Sequence, residues 1–142
     1  MSIPARISLV TIGVSDLDRS RAFYDAIGFD RVNDASDGVA FYRTAGAILS
    51  LYPLESLADD AQLSPDRTGF SGVSLAINLA DQAEVDAALA HAESIGATIL
   101  KPAETAFWGG YSGYFADPDG HAWEIVYNPH WPLDEHGLAQ LP

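Results

Sequence analysis

The chain has 142 residues, 48% of them hydrophobic, which fits one domain or two very small halves that share a core. Twenty Asp and Glu against seven Lys and Arg give a formal charge of −13, which argues against nucleic-acid and membrane partners. Cysteine is absent, which excludes disulfides, thiolate nucleophiles and Cys-bound zinc. Without an export signal or a long apolar run, we expect a soluble, cytoplasmic protein.

The first half of the chain predicts the order β-α-β-β-β. An apolar run over 7–14 is typical of a strand, and residues 15–28 have apolar positions at near-helical spacing. Ser15 or Asp16 can cap this helix, and Gly28 can end it in the left-handed conformation. Three short strands are then predicted over 29–34, 38–44 and 47–53, with turn residues between them.

The same order of elements is predicted a second time. Residues 53–69 are polar, acidic and interrupted by proline, so we interpret them as a linker with about one helical turn. A strand over 72–79 and a helix over 81–96 follow, the helix with a capping pair, Asp81 and Glu84, and a stop at Gly96. Strands over 97–102, 110–116 and 121–127 complete the half. The sequence thus predicts one domain of two repeated modules, 6–52 and 70–128, with linker 53–69 and a C-terminal tail 129–142.

A single carboxylate, Glu124, lies in the last predicted strand. Because strand side chains alternate, it shares a face with Ala122 and Val126 and is the only charge there. Burying such a charge costs free energy unless it is paired or hydrogen-bonded. Glu124 is therefore a candidate general base, substrate anchor or vestigial metal ligand, or else a charge that reaches solvent or an arginine at the rim.

Aromatic and small polar residues suggest a cavity. Trp108, Tyr111 and Tyr114 stand among glycines, which allow a ligand to approach closely beside the rings. Such rings are also common in cores. Ser74 belongs to a small polar strand face, and Ser50 and Tyr52 form a similar face on an earlier strand. Such inward faces leave room for a ligand, although they could also meet solvent in a shallow cup.

Two stretches, "VSDLDRSRAFYDAIGF" and "WGGYSGYFADPDGHAWEIVYNP", together with the repeated order of elements, resemble the vicinal oxygen chelate superfamily over residues 6–129. That superfamily includes glyoxalase I, extradiol dioxygenases, and fosfomycin and bleomycin resistance proteins. The resemblance implies an α+β fold in which two βαβββ modules form a curled mixed-sheet cup, commonly within a homodimer.

The resemblance also implies where a divalent metal would be held. The corresponding positions here are Leu9, Ser50, Ser74 and Glu124, of which only Glu124 is a competent ligand. We therefore expect no cofactor and disfavour a metal.

Two functions remain open on the sequence. One is a protein that binds a small hydrophobic or aromatic molecule, with Trp108, Tyr111, Tyr114, Tyr52, Ser50 and Ser74 lining its cavity. The other is a lyase, isomerase or dioxygenase in which Glu124 is the catalytic base or holds one metal position.

Overall fold

The computed structural model describes residues 2–32 and 38–142. The chain divides between Asp66 and Arg67 into two compact units, each with one four-stranded mixed sheet. Both units follow the order β-α-β-β-β, and neither sheet closes on itself. The predicted α+β class with two βαβββ modules is confirmed.

The first unit has the strand order β1-β4-β3-β2, in which β1 and β4 are parallel and the other pairs are antiparallel. Its elements are β1 (Leu9–Val14), α1 (Leu17–Ile27), β2 (Asp30–Arg31), β3 (Ala40–Arg43), β4 (Ile48–Pro53) and α2 (Leu54–Asp60). Asn33 and Asp34, the end of the strand predicted over 29–34, lie outside the described residues.

Helix α1 begins and ends as its sequence predicts. The Asp16 carboxylate accepts a hydrogen bond from the Arg19 N–H at 3.1 Å, and Gly28 follows the helix at φ +112°. Its apolar side buries Phe23 and Tyr24, and the Tyr24 ring lies 6.0 Å from that of Tyr42 on β3. The core of this unit therefore lies between α1 and one face of the sheet.

The predicted linker contains more regular structure than its composition indicated. Helix α2 has seven residues, follows β4 directly and contacts β1 and β4. A Cβ added at Gly13 would lie 2.6 Å from Leu54 Cδ1, so the missing side chain on β1 makes room for the first residue of the helix. This contact is tertiary, which explains why local composition did not reveal the helix.

The second unit has the strand order β5-β8-β7-β6, with β5 and β8 parallel. Its elements are β5 (Ser74–Leu79), α3 (Gln82–Ser94), β6 (Thr98–Thr105), β7 (Tyr111–Ala116) and β8 (Ala122–Tyr127). The predicted capping pair is present: Glu84 N–H donates to Asp81 Oδ1 at 2.8 Å, and Glu84 Oε2 accepts from Ala80 N–H at 2.9 Å. Within the described ranges, no helix combines the length and apolarity needed to cross a membrane.

Helix α3 covers only one face of the second sheet. On that face Trp123 and Ile125 are buried, and the Trp123 ring stacks on Phe115 with centroids 6.3 Å apart. Tyr111 also faces the helix, because its hydroxyl donates to Asp86 Oδ1 at 2.7 Å. The opposite face, called the open face below, carries the alternate residues of β7 and β8.

Candidate functional site

A row of side chains crosses the open face of the second sheet. Glu124 on β8 pairs with Ala76 on β5 and with Tyr114 on β7, and Tyr114 in turn pairs with Lys101 on β6. Directly paired residues of adjacent strands point to the same face. The strand register therefore places a carboxylate, a phenol and an ammonium next to one another.

Glu124 lies beside its cross-strand neighbour Tyr114. Burial, the negative charge of Glu124 and hydrogen bonding to its carboxylate raise the pKa of Tyr114. The phenol therefore stays protonated at neutral pH. Glu124 is half-buried, and the predicted solitary charge thus has a polar partner on its own face.

Strand β6 adds a charge pair to this face through an irregular backbone. Ile99 pairs with Phe115 and Lys101 with Tyr114, so two β6 steps match one β7 step; a second shift follows before Glu104, which pairs with Ser112. These bulges turn Lys101 and Glu104 to the open face, although residues three apart in a regular strand would face opposite ways.

The two bulge residues form an ion pair. Lys101 Nζ lies 2.8 Å from Glu104 Oε1, and the hydrogen bond and charge of Glu104 raise the pKa of Lys101. Pro102 is tolerated between them because β6 is an edge strand. Gly113 on β7 is also required, since a Cβ there would lie 2.7 Å from the Lys101 carbonyl oxygen.

Trp108 lies in the β6–β7 turn, between Thr105 and Tyr111. Ala106 N–H donates to the Gly110 carbonyl at 2.8 Å, and Gly109 takes the left-handed conformation at φ +95°. A Cβ at Gly110 would lie 1.8 Å from Trp108 Cη2, so the indole packs directly on the Gly110 backbone. Trp108 is 38% exposed, as expected for a rim residue rather than a core residue.

These features enclose a groove on the open face, called the Glu124 groove. Its volume is about 370 Å³, within the range of small-molecule sites. The groove is lined by Lys101, Glu104, Thr105, Ala106, Phe107, Trp108, Ser112, Tyr114 and Glu124.

Three of the site residues predicted from sequence, Trp108, Tyr114 and Glu124, line the Glu124 groove. Tyr111 is not among the lining residues, because it faces α3. Ser74 is exposed on β5, where it pairs with Ala122 and so lies two residues from the partner of Glu124.

The other two predicted residues belong to the first unit. Ser50 is 2% exposed and its hydroxyl is hydrogen-bonded to the Thr11 hydroxyl on β1. Tyr52, two residues further along β4, is half-buried and pairs with Gly13.

Sequence reasoning missed Lys101, Glu104, Phe107 and Ser112. The sequence signal for Lys101 and Glu104 was their spacing around Pro102. Without knowledge of the bulges, that pattern predicts a strand that ends at the proline.

The donor set does not fit a divalent metal. Among the described residues, no cluster of three or more His, Asp or Glu side chains could hold an ion. At the positions implied by the resemblance, Leu9 offers no lone pair and the Ser50 hydroxyl is occupied by Thr11. A catalytic ion commonly has about three fixed protein ligands, and Glu124 supplies one.

The family of the chain follows from its fold and sequence together. A family model described as the Glyoxalase/Bleomycin resistance protein/Dioxygenase superfamily matches residues 6–125. The chain belongs to this superfamily, as the resemblance implied. No curated protein matches the chain.

Several solved structures share the fold. A glyoxalase-related enzyme from Fulvimarina pelagi is 30% identical, with a TM-score of 0.87 over 96% of this chain and 98% of that one. A glyoxalase/bleomycin resistance protein/dioxygenase family enzyme from Burkholderia phytofirmans PsJN is 21% identical, with a TM-score of 0.77 over 87% and 98%. Lactoylglutathione lyase from Agrobacterium tumefaciens is 23% identical, with a TM-score of 0.70 over 93% and 100%.

Proposed function

We propose that this chain is a small-molecule-binding member of the superfamily that works without a bound metal, and that its ligand enters the Glu124 groove. The observation that carries the proposal is the groove itself: a cavity of about 370 Å³ with an indole at its rim and, on its floor, a half-buried carboxylate beside a phenol. An apolar wall with a few placed polar groups is the usual composition of a ligand site.

Trp108 provides the test of this proposal. We expect neutral aromatic compounds such as benzyl alcohol and naphthalene to shift the indole N–H resonance of Trp108 in proton–nitrogen NMR spectra. Trp108→Ala, followed through the backbone amide resonances of the groove, should weaken their binding about tenfold or more, since the flat ring supplies much of the apolar contact. Trp131 is a matched control, because it is also 38% exposed but is not among the groove residues. Equal losses in Trp108→Ala and Trp131→Ala would contradict the proposal.

A second candidate function is a lyase, isomerase or dioxygenase with Glu124 as the catalytic base. The pairing of Glu124 with Tyr114 favours it, because a base beside a protonated phenol can accept a proton while the phenol donates one. The relative from Fulvimarina pelagi is described as an enzyme. In this case Glu124→Gln should abolish turnover and leave ligand binding nearly unchanged, whereas a binding protein shows no turnover to lose.

We also propose that the chain forms a homodimer, as the family resemblance implies. Light scattering at tens of micromolar should give twice the mass of the chain. A monomer mass at that concentration would contradict the dimer but not the ligand site, because all the groove residues come from one unit.

A further inference from the structure

The side chains that line the Glu124 groove carry a net negative charge. Two carboxylates, Glu104 and Glu124, and one ammonium, Lys101, give it a net charge of −1, since two negative charges meet one positive charge. The formal charge of the whole chain is −13, so the surrounding field has the same sign. An approaching cation is therefore attracted both at long range and inside the groove.

The single ammonium already has a partner. Lys101 Nζ lies 2.8 Å from Glu104 Oε1, while Glu124 pairs across the strands with Tyr114, whose hydroxyl is neutral. Lys101 lies beyond Tyr114, one strand further from Glu124. The floor of the groove thus presents a carboxylate whose direct neighbour on β7 carries no positive charge.

Aromatic rings line the same groove as this carboxylate. Trp108 and Tyr114 both line the groove, and Phe107 at the tip of the same turn is fully exposed. The face of an indole or phenol ring attracts a cation within about 6 Å of its centroid, most strongly when the ion is shielded from water. Rings beside a carboxylate are the arrangement that recognises substituted ammonium groups.

We propose that the ligand of the Glu124 groove is an organic cation with an apolar body, such as a substituted or quaternary ammonium compound, held by Glu124 and the rings of Trp108 and Tyr114. This inference rests on the proposed function and adds the charge of the ligand. An anionic ligand would meet two carboxylates and would compete with Glu104 for the ammonium of Lys101. A neutral ligand would leave the net charge of −1 in the groove uncompensated.

A charge series of similar shape tests the proposal on the full chain. The probes are benzyltrimethylammonium, benzyl alcohol and benzoate, titrated at low salt while the Trp108 indole resonance is followed by NMR. We expect benzyltrimethylammonium to bind about tenfold more tightly than benzyl alcohol, the size of one good cation–π and charge contact, and benzoate to bind weakest.

Variants separate the groove carboxylate from the general acidity of the chain. Glu124→Gln keeps the shape of the side chain and removes its charge. It should weaken the binding of benzyltrimethylammonium about five- to tenfold and leave the affinity for benzyl alcohol within about twofold of the wild type. Glu55→Gln removes one negative charge from the exposed first turn of α2, and it should leave the affinity for both probes unchanged. Lys101→Met removes the positive charge from the groove and should strengthen the binding of benzyltrimethylammonium.

The outcomes distinguish the two proposals. If all three probes shift Trp108 with equal affinity, or benzoate binds best, the cation inference is wrong while binding in the groove stands. Equal losses of affinity for benzyltrimethylammonium in Glu124→Gln and Glu55→Gln would also overturn it. The cation would then be attracted by the negative charge of the whole surface and not by the groove. If no probe perturbs Trp108, the proposed function fails and the cation inference fails with it.

Discussion

Replacing Gly110 with alanine is expected to displace Trp108 from the Glu124 groove. The added Cβ would lie 1.8 Å from Trp108 Cη2 and 2.0 Å from Cζ3. Carbon atoms in contact are separated by about 3.5 Å or more, so the ring must move by at least about 1.7 Å. The backbone itself accepts alanine, because Gly110 is not among the glycines with positive φ.

The energetic cost can be bounded from the burial of the ring. Trp108 is 38% exposed, so about three-fifths of its surface is buried. A buried aromatic side chain removes about 150–250 Å² from water, and three-fifths of that at about 25 cal/mol per Å² gives an upper limit of about 2–4 kcal/mol if the ring becomes fully exposed. Alanine also raises the free energy of unfolding by about 0.4–1 kcal/mol, because it restricts the conformations of the unfolded chain. We expect a net loss of about 1–3 kcal/mol in the free energy of unfolding.

A double-mutant cycle measures this effect. Urea unfolding gives the free energy for the wild type, Gly110→Ala, Trp108→Ala and the double variant. Once the indole is absent, Gly110→Ala should be neutral or slightly stabilising. Gly110→Ala alone should also shift the Trp108 indole resonance and weaken aromatic ligands about as much as Trp108→Ala does.

Two results would refute this reasoning. An equal cost of Gly110→Ala with and without the Trp108 ring would place the strain in the backbone of the turn. An unshifted indole resonance in Gly110→Ala would mean that the ring does not rest on Gly110.

Three further predictions concern the same unit. Trp123→Ala should lower the free energy of unfolding by about 3–5 kcal/mol in urea titrations, because the ring is 5% exposed and stacks on Phe115; a loss below about 1 kcal/mol would contradict its place in the core. In Glu124→Gln the pKa of Tyr114 should fall, because the negative charge that raises it is gone; NMR titration of the ring in alkaline solution measures the change, and an unchanged pKa would exclude the contact. Adding zinc, nickel or manganese should leave the melting temperature within about a degree, and a rise of several degrees that is lost in Glu124→Gln would show tight metal binding.

Local chemistry was sufficient to predict the modules. The Asp16 and Asp81 caps and the left-handed Gly28 act within a few residues of their own helices, so each pattern can be recognised without knowledge of the rest of the chain. Alternation along β8 likewise separated Glu124 from Trp123, because side chains of a strand change face at every residue. The fold class and the two faces of the last strand therefore follow from sequence alone.

The groove depended on tertiary structure. Strand register decided that Tyr114 stands beside Glu124, and two bulges in β6 decided that Lys101 and Glu104 share a face. A bulge forms where a neighbouring strand leaves room for it, here at Gly113, which lies more than ten residues away along the hairpin from Lys101. Such contacts join residues distant in sequence, so the sequence by itself determined which chemical groups are available, and the packing of the strands determined which of them meet.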